Sequence, residues 1–278
     1  MPGLPPLSRA GDRARPGRRG LLGSMTPPLE LRAVRRVHSG AGPAVAALDG
    51  VDLTLRPGTL TAVMGPSGSG KSTLLHCAAG LDVPTSGHVL LDGTDLGALS
   101  ERRRTLLRRE RIGFVFQAFN LVTSLTAAQN VALPARLARR RVSRDAVTAA
   151  LDEVGLADRA GHRPAQLSGG GRGGQQRVAI ARALLSRPAT VFADEPPGAL
   201  DSTSSAQVLG LLRRCTDVAG VTTLMVTHDP AAAAWADEVV VLRDGRLHER
   251  FGVPGRPGDG DTATGIARRV AGRAGAVR

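Results

Sequence analysis

The sequence predicts an α/β fold: a parallel sheet with helices, antiparallel strands near the N-terminus, and a helical subdomain inserted at about 101–170. Three observations carry that expectation. Short apolar runs alternate with helix-like segments at both ends of the chain. One run, Leu60 to Met64 (LTAVM), feeds a glycine-rich loop and then a helix-like stretch from Lys71 to Ala79. Between Ser100 and Gln166 the pattern turns helical, and Ala146, Val147, Ala150, Leu151 and Val154 form one apolar stripe at helix spacing.

Taken in order, Leu29 to Val37 and Val45 to Leu55 read as strands around a Gly/Pro turn. Further strands are expected at His88–Leu91, Ile112–Phe116, Val191–Ala193, Thr222–Val226 and Val239–Leu242. Residues 200–219 read as a helix, and Asp229-Pro230 as a helix start, with Asp as the cap and Pro at the first position. Residues 1–28 and those from about 252 onward are rich in Gly, Pro and Arg and are expected to be disordered. The folded domain is therefore expected over 29–251, and Met25 is an alternative start.

A chain of 278 residues, 42% of them hydrophobic, is long enough for a sizeable core. Only 2% are aromatic and none is Tyr, so that core must be built of Ala, Val and Leu. No run of 18 apolar residues exists, so no bilayer-crossing helix is expected. The formal net charge is +13, of which residues 1–24 carry +4 and residues 249–278 carry +3. Solvated basic tails and attraction to anionic lipid or nucleic acid are both open readings of that excess. Two cysteines without metal-like spacing suit a reducing compartment. Arg18-Arg19 is not followed by the apolar stretch an export signal needs.

The only lysine in the chain is Lys71; every other basic residue is Arg. It lies in GPSGSGKST, Gly65-Pro66-Ser67-Gly68-Ser69-Gly70-Lys71-Ser72-Thr73, which matches G-x-x-x-x-G-K-[ST] in full. The glycines let the backbone wrap a polyphosphate, and its N–H groups and the helix start supply partial positive charge. Lys71 reaches the β- and γ-phosphates, and the Ser72 hydroxyl is placed for Mg²⁺. A compact ammonium at this one position marks a task that a guanidinium does not perform. A nucleotide site also needs an apolar strand ending in acid, and VFADE (Val191 to Glu195) supplies it. Asp194 is the candidate for holding Mg²⁺ through water, and Glu195 for polarising the attacking water as general base.

Together these residues resemble the ATP-binding subunits of ABC transporters over about residues 30–250. The ordered set is GPSGSGKST, Phe116-Gln117, LSGG at Leu167–Gly170, ADEP at Ala193–Pro196, Leu200-Asp201, and VTHD at Val226–Asp229. The resemblance implies a P-loop ATPase core with an N-terminal antiparallel subdomain and a helical subdomain. It implies that Gln117 joins the subdomains and senses Mg²⁺, and that His228 contacts the γ-phosphate. It further implies that Asp201 crosses a dimer interface, and that Ser168, Gly169 and Gly170 clamp ATP held by the other copy. It also implies ATP and Mg²⁺ as cofactors, a homodimer, and a separate membrane permease served from the cytoplasmic face, without nucleic acid. The stretch Gly113–Pro134 (GFVFQAFNLVTSLTAAQNVALP), with Pro84–Leu96, is similar to the MacB/LolD-like branch that powers macrolide efflux and lipoprotein release. Two other readings stay open: a hydrolysis-impaired regulatory subunit, and a soluble ABC ATPase acting on nucleic acid. The second usually shows fused cassettes or a coiled-coil insertion, and neither is present.

The chain departs from the family pattern in three places. His38 stands where an aromatic residue usually stacks on adenine. Pro197 stands where Thr usually follows Asp-Glu-Pro, removing a backbone donor ahead of Asp201. Six residues, Gly171 to Gln176, separate LSGG from RVAIARAL, against three in the family. Three residues added within a helix would rotate the motif by about 300° and shift it by about 4.5 Å. The alternatives are a glycine-rich bulge with the helix starting near Gln175, a signature too displaced for efficient hydrolysis, or a substitute clamp at Gly173-Gly174.

Overall fold

The computed structural model describes residues 26–39, 44–168 (for Ser168, the backbone), 172–198, 200–255 and 257–271. The expected disorder of the first 25 residues lies outside that set.

A four-stranded antiparallel sheet is built from β1 (Leu29–His38), β2 (Val45–Thr54), β4 (Ser86–Leu91) and the short β5 (Thr94–Asp95), in the order β2-β1-β4-β5. A six-stranded sheet contains β3 (Leu60–Met64), β6 (Ile112–Phe116), β7 (Thr190–Asp194), β8 (Thr222–Val226), β9 (Glu238–Arg243) and β10 (Arg246–Gly252). Its order is β10-β9-β3-β8-β7-β6; only the edge pair β10–β9 is antiparallel. Every residue of β3 and β8 is buried, which explains their unbroken apolar character: both faces of a parallel sheet are covered.

Side chains alternate between two cores. Leu60, Ala62 and Met64 of β3 pack with Val191 and Ala193 on one face, in the core shared with the helices. Val63, Phe192, Leu224 and Val226 point to the other face, in the core that holds the antiparallel sheet and α1 (Lys71–Ala78). The remaining helices are α2 (Glu101–Arg111), α3 (Ala127–Leu137), α4 (Arg144–Glu153), α5 (Gly173–Leu184), α6 (Ser202–Ala219), α7 (Pro230–Ala233) and α8 (Gly260–Ala271). Their starts follow local chemistry. Thr126 and Gln129 form a reciprocal capping box on α3, and Ser143, Asp201 and Asp229 cap α4, α6 and α7.

Three expectations need correction. The span 101–170 is interrupted by β6, a strand of the main sheet, so the inserted helical unit proper begins with α3. Helix α5 starts at Gly173 rather than near Gln175. Close packing selects glycine there. A Cβ on Gly173 would lie 2.9 Å from Ser204 Oγ, and one on Gly174 would lie 2.8 Å from the Leu167 carbonyl oxygen. Finally, the region after Gly252 is not all irregular. Helix α8 docks through buried Ile266, with Ala263 and Val270 beside it. Arg269 lies 4.0 Å over the Phe251 ring and bonds Glu249. Gly, Pro and Arg dominate the composition of this region and hide the spacing of those three apolar residues.

Candidate active site

All the parallel strands end at one edge of the main sheet, and the candidate residues gather in the loops leaving that edge. The loop from Gly65 to Gly70 leaves β3, and Gly70 enters α1 at φ 100°. The fit is tight on the protein side. A Cβ on Gly65 would sit 2.0 Å from the Leu242 carbonyl oxygen, and one on Gly70 would sit 2.2 Å from that of Ala47. Pro66, Ser67 and Gly68 face solvent, whereas Ser69 is buried and its hydroxyl has no partner among the described residues. Helix α1 has no acid in its first turn and no side-chain cap, so its first N–H groups are left for another acceptor.

Lys71 Nζ donates to the carbonyls of Gly65 at 2.8 Å and Pro66 at 2.7 Å, so the ammonium lies folded across the loop it follows. Burial pulls its pKa below the usual lysine value, while the charges of Glu195 and Asp194 oppose that shift. Asp194 ends β7. Burial pushes its carboxyl upward; His76 opposes this, Glu195 adds to it, and Lys71 opposes it. Ser72 is exposed at the start of α1.

Glu195 follows with φ 45°, an uncommon value for a residue with a side chain. Its backbone N–H donates to the Val226 carbonyl at 2.9 Å, which ties the turn to the end of β8. Its Oε1 lies 2.8 Å from His228 Nδ1, and the Thr227 hydroxyl donates to Oε2 at 3.4 Å. Gln117 leaves β6, and its side chain lies against Gly198: a Cβ there would be 2.6 Å from Gln117 Cγ. Asp201 is exposed, and its carboxylate accepts the Ser204 N–H at 2.9 Å; hydrogen bonds from Ser204 hold its pKa down. His38 is exposed at the end of β1 opposite Val45, two residues from the Ala47 carbonyl that abuts Gly70. Thr73 lies in the first turn of α1.

Thus Lys71, Asp194, Glu195, His228 and Gln117 converge from four strand ends. Ser168 ends a short 3₁₀ turn, Pro164–Ser168, while Gly169 and Gly170 lie outside the described residues. Sequence reasoning missed Thr227 and His76. Thr227 lies inside the quoted VTHD but has no signal of its own; His76 is an ordinary position on α1 until the fold places it near Asp194. Among the described residues no three His, Cys, Asp or Glu side chains are grouped to hold a metal.

The ABC transporter family model matches residues 48–198, from β2 through the turn after Glu195. The chain belongs to the ABC transporter family. It is similar to the lipoprotein-releasing system ATP-binding protein LolD of Hyphomonas neptunium, 43% identical over 225 residues, covering 80% of this chain and 97% of that one. It is also 43% identical to the macrolide export ATP-binding/permease protein MacB of Syntrophobacter fumaroxidans, over 82% of this chain but only 32% of that one. The chain therefore spans about a third of such MacB relatives and nearly all of the LolD relatives. A dimeric, post-hydrolysis state of the ATP-binding cassette MJ0796, bound to ADP and Pi, superposes with a TM-score of 0.74. It is 37% identical and covers 82% of this chain and 99% of that one. As an ABC cassette, the chain belongs to a family that binds ATP and ADP.

Proposed function

We propose that this chain is the ATP-hydrolysing subunit of a transporter, driving a separate membrane permease in export or extraction from the cytoplasmic face. The observation that carries this reading is the Glu195–His228 contact of 2.8 Å, set at the same sheet edge as the Lys71 loop. The loop from Gly65 to Gly70 and the start of α1 receive the phosphates, and Lys71 exchanges its two carbonyl partners for β- and γ-oxygens. Glu195 accepts a proton from the attacking water. His228 donates from Nδ1 to the carboxylate and so holds Glu195 in place. His38 lies where it can stack on adenine. The residues fit Mg²⁺ as partner of the nucleotide: Asp194 is a half-buried carboxylate at the end of β7, Ser72 offers an exposed hydroxyl at the start of α1, and Gln117 follows the neighbouring strand β6. Bound there, Mg²⁺ would neutralise phosphate charge.

The function also requires a second copy, whose Ser168, Gly169 and Gly170 complete the site, with Asp201 at the interface. The fold neighbour MJ0796 is dimeric, which supports this. Among the described residues no helix is long and apolar enough to cross a membrane. A cavity of about 390 Å³ between α2, β6 and α3, floored by Phe114, Phe116 and Leu133 and edged by Arg108 and Arg109, suits that contact.

A regulatory subunit with weak hydrolysis is the second reading. The start of α5 favours it: Arg172 occupies the cap position, with no side-chain cap bond. Its cation opposes the helix dipole. One experiment separates the two readings. The Glu195→Gln protein should form an ATP-dependent dimer in size exclusion, and its turnover should fall at least ~100-fold. Turnover unchanged by the substitution would leave only the regulatory reading. A companion variant lacking Gly171-Arg172-Gly173 tests the insert: equal dimerisation means that the extra residues are tolerated as a bulge.

A further inference from the structure

Gln176 lies in the second turn of α5 and is fully buried. Its Nε2 donates to the Pro196 carbonyl at 2.6 Å and lies at a long 3.4 Å from the Phe116 carbonyl. Those two carbonyls have a shared position in the fold. Phe116 pairs with Asp194 at the last rung of the β6–β7 ladder. Pro196 immediately follows Glu195, and Phe116 immediately precedes Gln117. The amide of Gln176 thus spans the two strand exits where the ladder stops.

The surroundings need such a tie. Glu195 has an uncommon positive φ, which persists only where neighbours overdetermine it. Pro196 and Pro197 provide no N–H to the turn, which relies on Gly198 N–H to the Glu195 carbonyl at 3.0 Å and Leu200 N–H to that of Pro197 at 2.8 Å. Gln117 in turn rests on Gly198. Moreover, Gln176 Oε1 is buried with no hydrogen-bond partner among the described residues. An apolar side chain of the same length would avoid that orphan acceptor, so the donor half of the amide accounts for the residue.

We propose that Gln176 is a positioning residue: its amide fixes the Glu195 turn and the Gln117 exit to helix α5, and so sets the general base for hydrolysis. The inference rests on the ATPase reading above. It links the helix that follows the signature segment to the backbone of the turn that carries Glu195 in the same chain.

The test compares wild type, Gln176→Met and Gln176→Glu as full chains, at temperatures where melting curves show each folded. Methionine keeps the length and removes the donor; glutamate sets a carboxylate against two carbonyls. For Gln176→Met, kcat should fall ~10- to 100-fold while KM for ATP stays within about twofold, because misplacement of the base affects the chemical step. Gln176→Glu should be slower still. In parallel, amide hydrogen exchange at Gly198 and Leu200 should accelerate in Gln176→Met without nucleotide. Wild-type kcat and wild-type exchange in Gln176→Met would overturn the proposal and leave Gln176 a packing residue. If the wild type itself turns over no faster than Glu195→Gln, the ATPase reading fails, and the exchange rates alone decide whether Gln176 holds the turn.

Discussion

Asp194 has two environments to satisfy. Without nucleotide its carboxyl is half-buried, and burial raises its pKa. A carboxyl that holds its proton more tightly when folded makes the folded state lose stability as pH rises from the unfolded pKa through the raised one. Asp194→Asn should therefore raise the melting temperature of the nucleotide-free protein at pH 7, lose that advantage toward pH 4, and abolish hydrolysis. Differential scanning calorimetry at the two pH values checks the sign; a lower melting temperature at pH 7 would contradict it. Lys71 is the complementary case. Its ammonium is occupied by two carbonyl bonds, to Gly65 and Pro66. At this scale the sequence is most legible: a loop that must approach phosphates has few residue choices, and GPSGSGKST and VFADE state their chemistry directly. Gln176 is illegible by the same criterion. Its partners are backbone carbonyls 60 and 20 positions away, which no local pattern encodes.

Helix α5 shows how an element can be read well and yet begin in an unexpected place. The run RVAIARAL announces a helix, and propensity suggests that the glycines before it stay outside. Tertiary packing decides otherwise: α5 approaches α6 and the carbonyl of Leu167 so closely that only glycine fits. Alanine in a helix is normally better than glycine by about 1 kcal/mol. At Gly174 the sign should reverse, because the new Cβ meets backbone rather than a movable side chain. Gly174→Ala should destabilise by about 1–3 kcal/mol in urea unfolding; a gain would mean that α5 starts later in solution. The same competition explains the other misread element. Strands of the main sheet are legible because burial on both faces makes them continuously apolar. Helix α8 is not, since three apolar contacts spread over eight residues suffice to dock a peripheral helix on an existing surface.

For the whole molecule, the two cores meet across one sheet, and the candidate site lies on its edge. The P-loop contacts both sheets: Gly70 abuts Ala47 of β2, and Gly65 abuts Leu242 of β9. Helix α7 follows His228 and Asp229 directly, and α8 packs against α7. Ile266→Ala should loosen α8 at a cost of about 2 kcal/mol or more. Trp235 lies at the same junction. It is packed by Gly210 of α6 and by Gly258, whose Cβ would lie 2.6 Å from the indole. The chain contains one Trp and no Tyr. Its near-ultraviolet emission therefore arises almost wholly from one ring, seven residues beyond His228. The molecule has a built-in optical reporter at the exit of its candidate γ-phosphate loop. Ile266→Ala should shift that emission to longer wavelength as the indole becomes wetter, and an unchanged spectrum would mean that α8 does not seal this corner.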